Sequence, residues 1–318
     1  MTFRQAIVSV AAVALVACGG DGVTPPSEAT SVLTSGTIAF GHTPEPGKEW
    51  LVDLYVARPD GSGVRLVAAL PGADMWPDLS PDGRQLVFTR KTVSDFGIWI
   101  VNVDGTGLRQ LPTGGQAAYA RWSPDGEWIL FDRRSTDGTG LALMRPDGSG
   151  LRFVSVPSPY VASIPAAISV TGRVVFVMGS GTEVGTLWSS RLDGTELVQL
   201  STNAWDDEPR WSPDGTRIAV TTLAGGVTST GWDIVVMTAD GSQRRTLTPS
   251  GVNVYPTWSP DGNWILYEHW GDEGSGEKHC SLYRVPSTGG APEKLAIPML
   301  STGDCGGISW VAAPLAGR

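Results

Sequence analysis

The side chains most often used for acid–base and metal chemistry are sparse in this chain of 318 residues. Its only histidines are His42, His269 and His279, and the sequence has neither the Gly-x-Ser-x-Gly turn of serine hydrolases nor the His-Glu-x-x-His helix of zinc proteases. The last two histidines share one segment with Asp272 and Glu273, which together could ligate a metal ion, although their spacing matches no tight template. We therefore predict no catalytic residues, no bound metal and no cofactor.

Carboxylates recur at regular spacing. The tetrapeptide Ser-Pro-Asp-Gly starts at Ser80, Ser123, Ser212 and Ser259, and a degenerate copy starts at Ser169, which gives spacings of 43, 46, 43 and 47 residues. Asp in such a tetrapeptide accepts local backbone hydrogen bonds, and Gly supplies the turn geometry. We interpret these carboxylates as turn residues rather than a ring of metal ligands or catalytic acids; they are Asp82, Asp125, Asp214 and Asp261.

The segments around these turns predict strands. Each tetrapeptide is followed by an alternating apolar run, a second apolar strand, an Asp-Gly turn and a short fourth strand, as in residues 85–111. The Asp-Gly pairs expected to form hairpin turns begin at Asp60, Asp104, Asp147, Asp193 and Asp240. Four strands in each period are the pattern of one β-propeller blade, with the Trp that precedes Ser in three copies packed between blades.

Trp-Ser-Pro-Asp-Gly recurring at blade spacing resembles the WD40-like PD40 repeats of the TolB-like propeller family, over roughly residues 36 to 312. The resemblance implies a scaffold that binds proteins. TolB-like proteins also carry an N-terminal α/β domain, so the resemblance covers the propeller alone.

The repeats predict a closed ring. Five complete repeats start near residues 73, 116, 162, 205 and 252, and a partial repeat without an inner strand covers residues 37–61. Residues 307–310 near the C-terminus match the missing inner strand. We predict an all-β, six-bladed propeller of four-stranded blades, in which the N- and C-terminal strands pair within one blade and leave no exposed edge.

One position of the repeat is predicted to surround the mouth of the central channel. It lies four residues before each Ser of the tetrapeptide, on the face of the variable loops, and reads Trp76, Tyr119, Pro165, Glu208 and Tyr255. Large aromatic side chains with a few carboxylates give a ligand contact area and orientation. We predict that a partner binds here; the alternative is that these side chains pack blade against blade. The predicted partner-binding residues are Trp76, Tyr119, Glu208, Tyr255, Asp74, Asp206 and Asp207.

The N-terminal residues have the layout of a secretory signal. Arg4 precedes an apolar run over residues 6–17, which is shorter than the roughly 20 residues that a membrane-spanning helix needs. Residues 15–19, Leu-Val-Ala-Cys-Gly, resemble a bacterial lipobox, so we expect residues 1–17 to be a signal peptide and Cys18 to be lipidated. The alternative is an ordinary cleaved signal with an unmodified Cys18.

The predicted domains follow from this signal. Residues 18–35 are rich in Gly, Pro, Ser and Thr and are expected to be a flexible tether, which leaves residues 36–318 as the propeller. We expect an exported protein that is held in the cell envelope by its lipid, at the outer membrane and facing the periplasm.

The two remaining cysteines, Cys280 and Cys305, fall in connections expected on the same face of the propeller. In an oxidising compartment we expect them to form a disulfide, with two buried free thiols as the alternative.

The charge argues against nucleic acid as a partner. The formal net charge is −9, or −10 once residues 1–17 and their Arg4 are removed, and the sequence has no cluster of Lys and Arg that would bind phosphates.

Two functional hypotheses remain. The first is a monomeric, non-enzymatic module that binds an envelope protein or peptide on its channel-mouth face. The second is a carbohydrate-active propeller, either glycan-binding or similar to the polysaccharide lyases that use related repeats with a metal; it would depend on His269 and His279.

Overall fold

The computed structural model describes residues 36–43, 51–69, 72–92, 96–156, 161–179, 185–223, 231–248, 251–272, 278–297, 300, 304–313 and 315. The predicted signal peptide, Cys18 and the tether lie outside these residues, as does Glu273. Within them the chain forms 24 strands in six four-stranded antiparallel sheets and no α-helix. The described residues therefore include no helix that is long and apolar enough to cross a membrane.

Each sheet is one blade, with its first strand nearest the central axis. The six inner strands are β4 (Ala73–Leu79), β8 (Gln116–Trp122), β12 (Val161–Ile168), β16 (Asp206–Trp211), β20 (Val252–Trp258) and β24 (Asp304–Val311). The second strands are β5 (Gln85–Lys91), β9 (Ile129–Ser135), β13 (Arg173–Gly179), β17 (Arg217–Thr222), β21 (Trp264–Asp272) and β1 (Thr37–Thr43). We number the blades 1 to 6 in this order.

The outer half of each blade is shorter. The third strands are β6 (Phe96–Asn102), β10 (Gly138–Met144), β14 (Thr186–Arg191), β18 (Asp233–Thr238), β22 (Lys278–Pro286) and β2 (Asp53–Ala57). The outermost strands are β7 (Arg109–Gln110), β11 (Arg152–Phe153), β15 (Val198–Gln199), β19 (Arg245–Thr246), β23 (Glu293–Lys294) and β3 (Arg65–Ala68).

The predicted closure is confirmed. Blade 6 has the strand order β24-β1-β2-β3, and its inner strand β24 comes from the C-terminal end of the chain. Ile38 of β1 pairs with Trp310 of β24, so backbone hydrogen bonds join the two ends of the propeller. This pairing covers the strand edges that an open array of blades would expose.

Buried apolar side chains lie mainly between blades. Each of the six hydrophobic clusters contains residues from two neighbouring blades, and together the clusters continue around the ring. Trp122, Trp211 and Trp258 each belong to one of them, which confirms that the repeated tryptophans pack between blades. Each blade thus buries its faces against two neighbours.

The repeated tetrapeptide, with its degenerate copy in blade 3, forms a tight turn at the end of the inner strands of blades 1 to 5. In blade 1, Ser80 Oγ donates to Asp82 Oδ1 at 2.6 Å, Asp82 accepts from Arg84 N at 3.1 Å, and Gly83 has a φ of 68°. The hydrogen bond from Ser80 holds the pKa of Asp82 below its usual range, although burial opposes this. In the degenerate copy, Thr171 Oγ1 lies 2.8 Å from Ser169 Oγ and replaces the carboxylate. The aspartates are therefore structural, as the sequence predicts.

The predicted disulfide is present between Cys280 and Cys305, with 5.6 Å between their Cα atoms. Cys280 lies in the third strand of blade 5 and Cys305 in the inner strand of blade 6. The bond therefore attaches the closing strand β24 to its neighbouring blade.

Replacement of both cysteines, Cys280→Ala with Cys305→Ala, is expected to lower the free energy of unfolding by about 3 kcal/mol, because the disulfide closes a loop of 25 residues. Denaturant unfolding under oxidising conditions measures the effect, and reduced wild-type protein is the control. Equal stability of the oxidised wild type and the double variant would contradict the role given to this bond.

Candidate functional site

The inner strands share one backbone irregularity. In every inner strand the pairing register shifts near the position four residues before the turn. The residues with positive φ at this position are Trp76 (53°), Tyr119 (57°), Glu208 (53°), Tyr255 (55°) and Gly307 (91°). Such bulges turn a side chain out of the regular alternation of a strand. Here they mark the position predicted to surround the channel mouth.

We call the side chains at this position the mouth ring: Trp76, Tyr119, Glu208 and Tyr255, with Gly307 in blade 6. Blade 3 has Pro165 there, and its side chain is outside the described part of the structure. The ring lies towards the loop end of the axis, where the inner strands begin, and away from the turn end, where the Ser-Pro-Asp-Gly turns lie.

A bulge releases a backbone N–H from the strand ladder, and the described structure supplies acceptors from the preceding blade. Tyr119 N donates to Thr89 Oγ1 at 2.8 Å, and Gly307 N donates to Glu268 Oε1 at 2.7 Å. Thr89 and Glu268 occupy the same position in the second strands of blades 1 and 5. Because buried N–H groups are costly when unpaired, these contacts stabilise the left-handed backbone.

Glu208 is the acceptor for the backbone N–H that the bulge releases in blade 5. Its Oε2 accepts from Tyr255 N at 2.7 Å and from Thr221 Oγ1 at 2.6 Å. Burial, and then the nearby Asp207, raise the pKa of Glu208 to about 7, and the hydrogen bonds from Thr221 and Tyr255 act in the opposite direction. Burial also raises the pKa of Asp207 to about 6. Both groups can therefore change protonation state close to neutral pH.

The aromatic members of the mouth ring contact one another and are half-buried. The rings of Trp76 and Tyr119 are stacked, with centroids 3.8 Å apart and an angle of 21° between planes. The hydroxyl group of Tyr255 interacts with the side chain of Trp76, so blades 1, 2 and 5 meet here. The structure thus brings together the four predicted mouth residues and leaves part of each exposed.

Two of the predicted aspartates have internal partners. Asp74 is fully buried, and its carboxylate lies 2.9 Å from Arg90 Nε and 3.1 Å from Arg90 Nη2. Asp206 is 1% exposed and receives two hydrogen bonds of 2.7 Å from Arg244. Both carboxylates are therefore engaged in ion pairs inside the propeller. Asp207, in contrast, is half-buried beside Glu208.

A second layer of side chains, which we call the charged ring, lies two residues before each turn. Its members are Asp78, Arg121, Ala167, Arg210, Thr257 and Ser309. Arg210 Nη1 lies 3.2 Å from Asp78 Oδ1, and Arg121 Nε lies 4.0 Å from the same oxygen. Asp78 belongs to blade 1 and Arg210 to blade 4, which are opposite each other, so this ion pair crosses the axis.

Sequence reasoning missed the charged ring. The signal was the repeat position itself, because a charged residue recurs two places before Ser, at Asp78, Arg121 and Arg210. It also missed Gly307, where a Cβ atom would lie 2.8 Å from the Cα atom of Trp76.

His269, one of the two histidines predicted as alternative metal ligands, has other neighbours. His269 Nδ1 lies 2.8 Å from Asn253 Oδ1, and the ring meets Tyr283 edge to face at 5.1 Å. Among the described side chains, the one group with ligand-like spacing is Glu268 with Cys280 and Cys305, whose sulfur atoms form the disulfide. The side chain of Asp272 is not among those described.

Thr89→Val is expected to remove the acceptor for Tyr119 N and to lower the free energy of unfolding by about 1–3 kcal/mol, since a buried N–H loses its partner. Thr89→Ser keeps the hydroxyl group and is the matched control. Chemical denaturation of the three proteins tests this, and equal stability of the Val and Ser variants would contradict it.

Stability should also depend on Glu268, whose pKa is raised to about 8 by burial from an ordinary value of 4.5. A carboxyl group with a higher pKa in the folded state destabilises the fold as pH rises from its unfolded pKa to its folded pKa. Between pH 5 and pH 8 the wild type should lose at least about 1 kcal/mol relative to Glu268→Gln, which cannot ionise but keeps an acceptor for Gly307 N. Urea unfolding at both pH values measures the difference. Glu127→Gln, at an exposed site, should follow the wild type, and parallel curves for wild type and Glu268→Gln would contradict the assignment.

Several solved structures superpose on most of this chain. TolB from Acinetobacter baumannii superposes with a TM-score of 0.71 at 16% identity, over 88% of this chain and 67% of that one. A TolB-like protein from Agrobacterium tumefaciens gives 0.63 at 19% identity, over 82% and 88%. A chain of a nidogen/laminin complex gives 0.66 at 12% identity, over 88% and 100%. At these identities the similarity shows the fold alone.

The family comparison covers more than half of the sequence. The profile of the PD40 family, described as the TolB beta propeller domain, matches residues 52–229, which span blades 1 to 3 with parts of blades 6 and 4. The Ser-Pro-Asp-Gly turns that begin at Ser80, Ser123 and Ser212 lie within the matched residues. The chain belongs to the TolB beta propeller domain family.

Proposed function

We propose that this protein is a non-enzymatic module that binds an envelope protein or peptide at the mouth ring. The observation that carries the proposal is the exposed part of a preformed aromatic cluster, Trp76 stacked on Tyr119 with Tyr255 beside them. Rigid aromatic side chains with polar neighbours are frequent anchors of protein interfaces.

Backbone strain supports a role beyond packing. Bulky residues at positive φ cost roughly 1–2 kcal/mol each, and the mouth ring has four non-glycine residues in this conformation. Gly307 adopts it without that cost in the same position of blade 6. In blade 6 the close approach of Trp76 leaves no room for a Cβ atom, whereas blades 1, 2, 4 and 5 each hold a strained side chain at this position. Retention of large side chains at strained positions is typical of functional sites.

The surface beside the aromatic pair can accommodate part of a polypeptide. A cavity of about 200 Å³ adjoins Trp76 and Tyr119 and is also lined by Phe96 and Asp132, among others. Burial raises the pKa of Asp132, although the neighbouring Arg134 opposes this. The size of this cavity suits one side chain of a partner, and the carboxylate of Asp132 can accept a hydrogen bond from it.

We extend the proposal to the cell envelope. The lipobox-like residues 15–19 and the Gly- and Pro-rich segment after them support an exported monomer that is attached to the outer membrane through lipidated Cys18. Membership of the TolB beta propeller domain family agrees with an exported location.

The double variant Trp76→Ala with Tyr255→Ala should lose its partner, because each substitution removes an aromatic anchor from the mouth ring. We would place a photo-crosslinking amino acid at Phe96, on the loop end, and identify products from the native envelope by mass spectrometry. The expected result is one specific product in the wild-type background that falls at least about tenfold in the double variant.

The matched control is Leu66→Ala with Phe153→Ala, which removes two exposed apolar side chains from the outer strands of blades 6 and 2. It should leave crosslinking unchanged, and thermal melts should show that all proteins are folded. An unchanged product in the mouth-ring variant would exclude the proposed site. Failure to crosslink any protein would contradict the protein-binding role and favour the glycan-binding alternative.

A further inference from the structure

The turn end of the axis contains a second cavity that the proposed function does not use. It has a volume of about 300 Å³ and is lined by residues from all six inner strands, including the whole charged ring. Pro81, Pro124, Pro213 and Pro260 of the repeated turns lie around it. It is therefore a funnel on the propeller axis, with charged side chains at its base and an apolar rim. We call it the turn-end funnel.

The base of this funnel has an excess of positive charge. Two guanidinium groups, of Arg121 and Arg210, share one carboxylate, that of Asp78. The three side chains are only 5%, 15% and 10% exposed, respectively. Burial, and then the charge of Arg210, lower the pKa of Arg121, yet a guanidinium remains protonated at neutral pH. Among the residues of the charged ring the formal balance is one positive charge. The further carboxylate that acts on Arg121 is that of Glu208 in the mouth ring, and its pKa of about 7 leaves it only partly ionised at neutral pH.

Contacts within the protein hold the two arginines in place. Arg121 Nη1 donates to the carbonyl oxygen atoms of Trp76 and Ala120, at 3.2 and 3.1 Å. Arg210 Nη2 lies 3.5 Å from the carbonyl oxygen of Ile308. The backbone N–H of Trp122 donates to the second oxygen of Asp78 at 2.8 Å, so this carboxylate accepts hydrogen bonds from Trp122 and Arg210 and forms a longer ion pair with Arg121. Each guanidinium has five N–H donors, so both keep capacity for a further acceptor.

A buried positive charge without a full counter-charge is unfavourable, and an anion that enters the cavity relieves it. The funnel base differs in charge from the rest of the protein, because the chain as a whole carries a formal charge of −9 and would repel an anion elsewhere. The planar fork of arginine matches a carboxylate in particular. The apolar rim adds contact area for a ligand whose body is hydrophobic.

We propose that the turn-end funnel binds the carboxylate of an apolar monocarboxylate, either a small organic acid or the C-terminal residue of a peptide. The carboxylate takes the open donors of Arg121 and Arg210, and the apolar part of the ligand lies against the prolines of the rim. This site is at the opposite end of the axis from the mouth ring and differs in charge, so it does not depend on the proposed protein-binding role.

The test uses isothermal titration of the purified propeller with N-acetyl-leucine, N-acetyl-leucinamide and a short peptide that ends in leucine, with a free or an amidated C-terminus. The acid should bind and the amides should not. Binding of the free-acid peptide as well as N-acetyl-leucine assigns the site to a chain terminus, and binding of N-acetyl-leucine alone assigns it to a small acid; both results support the carboxylate site.

Variants of the charged ring separate this proposal from nonspecific binding. Arg210→Gln leaves Arg121 paired with Asp78 and should weaken carboxylate binding at least about tenfold. Arg109→Gln removes the same charge from an exposed site on the outermost strand of blade 1 and should bind as the wild type does. Asp78→Asn removes the competing carboxylate and should bind more tightly, which supplies a second test if Arg210→Gln fails to fold. The proposal would be overturned if the acid and the amide bound equally or if neither acid ligand bound. It would also be overturned if a charged-ring variant folded and bound as the wild type does.

Discussion

The left-handed bulge in the inner strands is the constraint on which the rest of this propeller depends. It interrupts the ladder of each blade and directs one side chain towards the mouth of the axis. The released N–H groups need acceptors, and Thr89, Glu208 and Glu268 provide them from neighbouring blades. Blade packing, the mouth ring and the buried carboxylates are therefore one connected arrangement. Substitution of any of these acceptors should change both the free energy of unfolding and the geometry of the mouth ring.

The axis of the propeller separates two chemical environments. The loop end has stacked aromatic rings and carboxylates with raised pKa values, among them Glu208. The turn end has two buried arginines that share Asp78. The ion pair between Asp78 and Arg210 joins opposite blades and lies across the passage from one end to the other. The charged ring therefore links opposite blades and separates the aromatic loop end from the positively charged turn end.

Much of the fold could be predicted from the sequence because the repeat encodes it locally. Ser-Pro-Asp-Gly contains the hydrogen-bonding groups and the glycine of its own turn, and residues 307–310 carry the pattern of the missing inner strand. The position of the mouth ring followed from the same repeat. The bulge did not, because the positive φ at Tyr119 or Tyr255 depends on an acceptor in another blade. The internal pairing of Asp74 with Arg90 and the charge balance around Asp78 likewise depend on tertiary contacts.

The central claim is that the bulges present a rigid binding surface at the loop end. Hydrogen–deuterium exchange of the propeller, alone and with its crosslink-identified partner, tests this claim most directly. The account predicts added protection in the peptides that contain Trp76, Tyr119 and Tyr255, with little change in the Ser-Pro-Asp-Gly turns or the outer strands. Protection confined to the outer strands or to the turn end would contradict it.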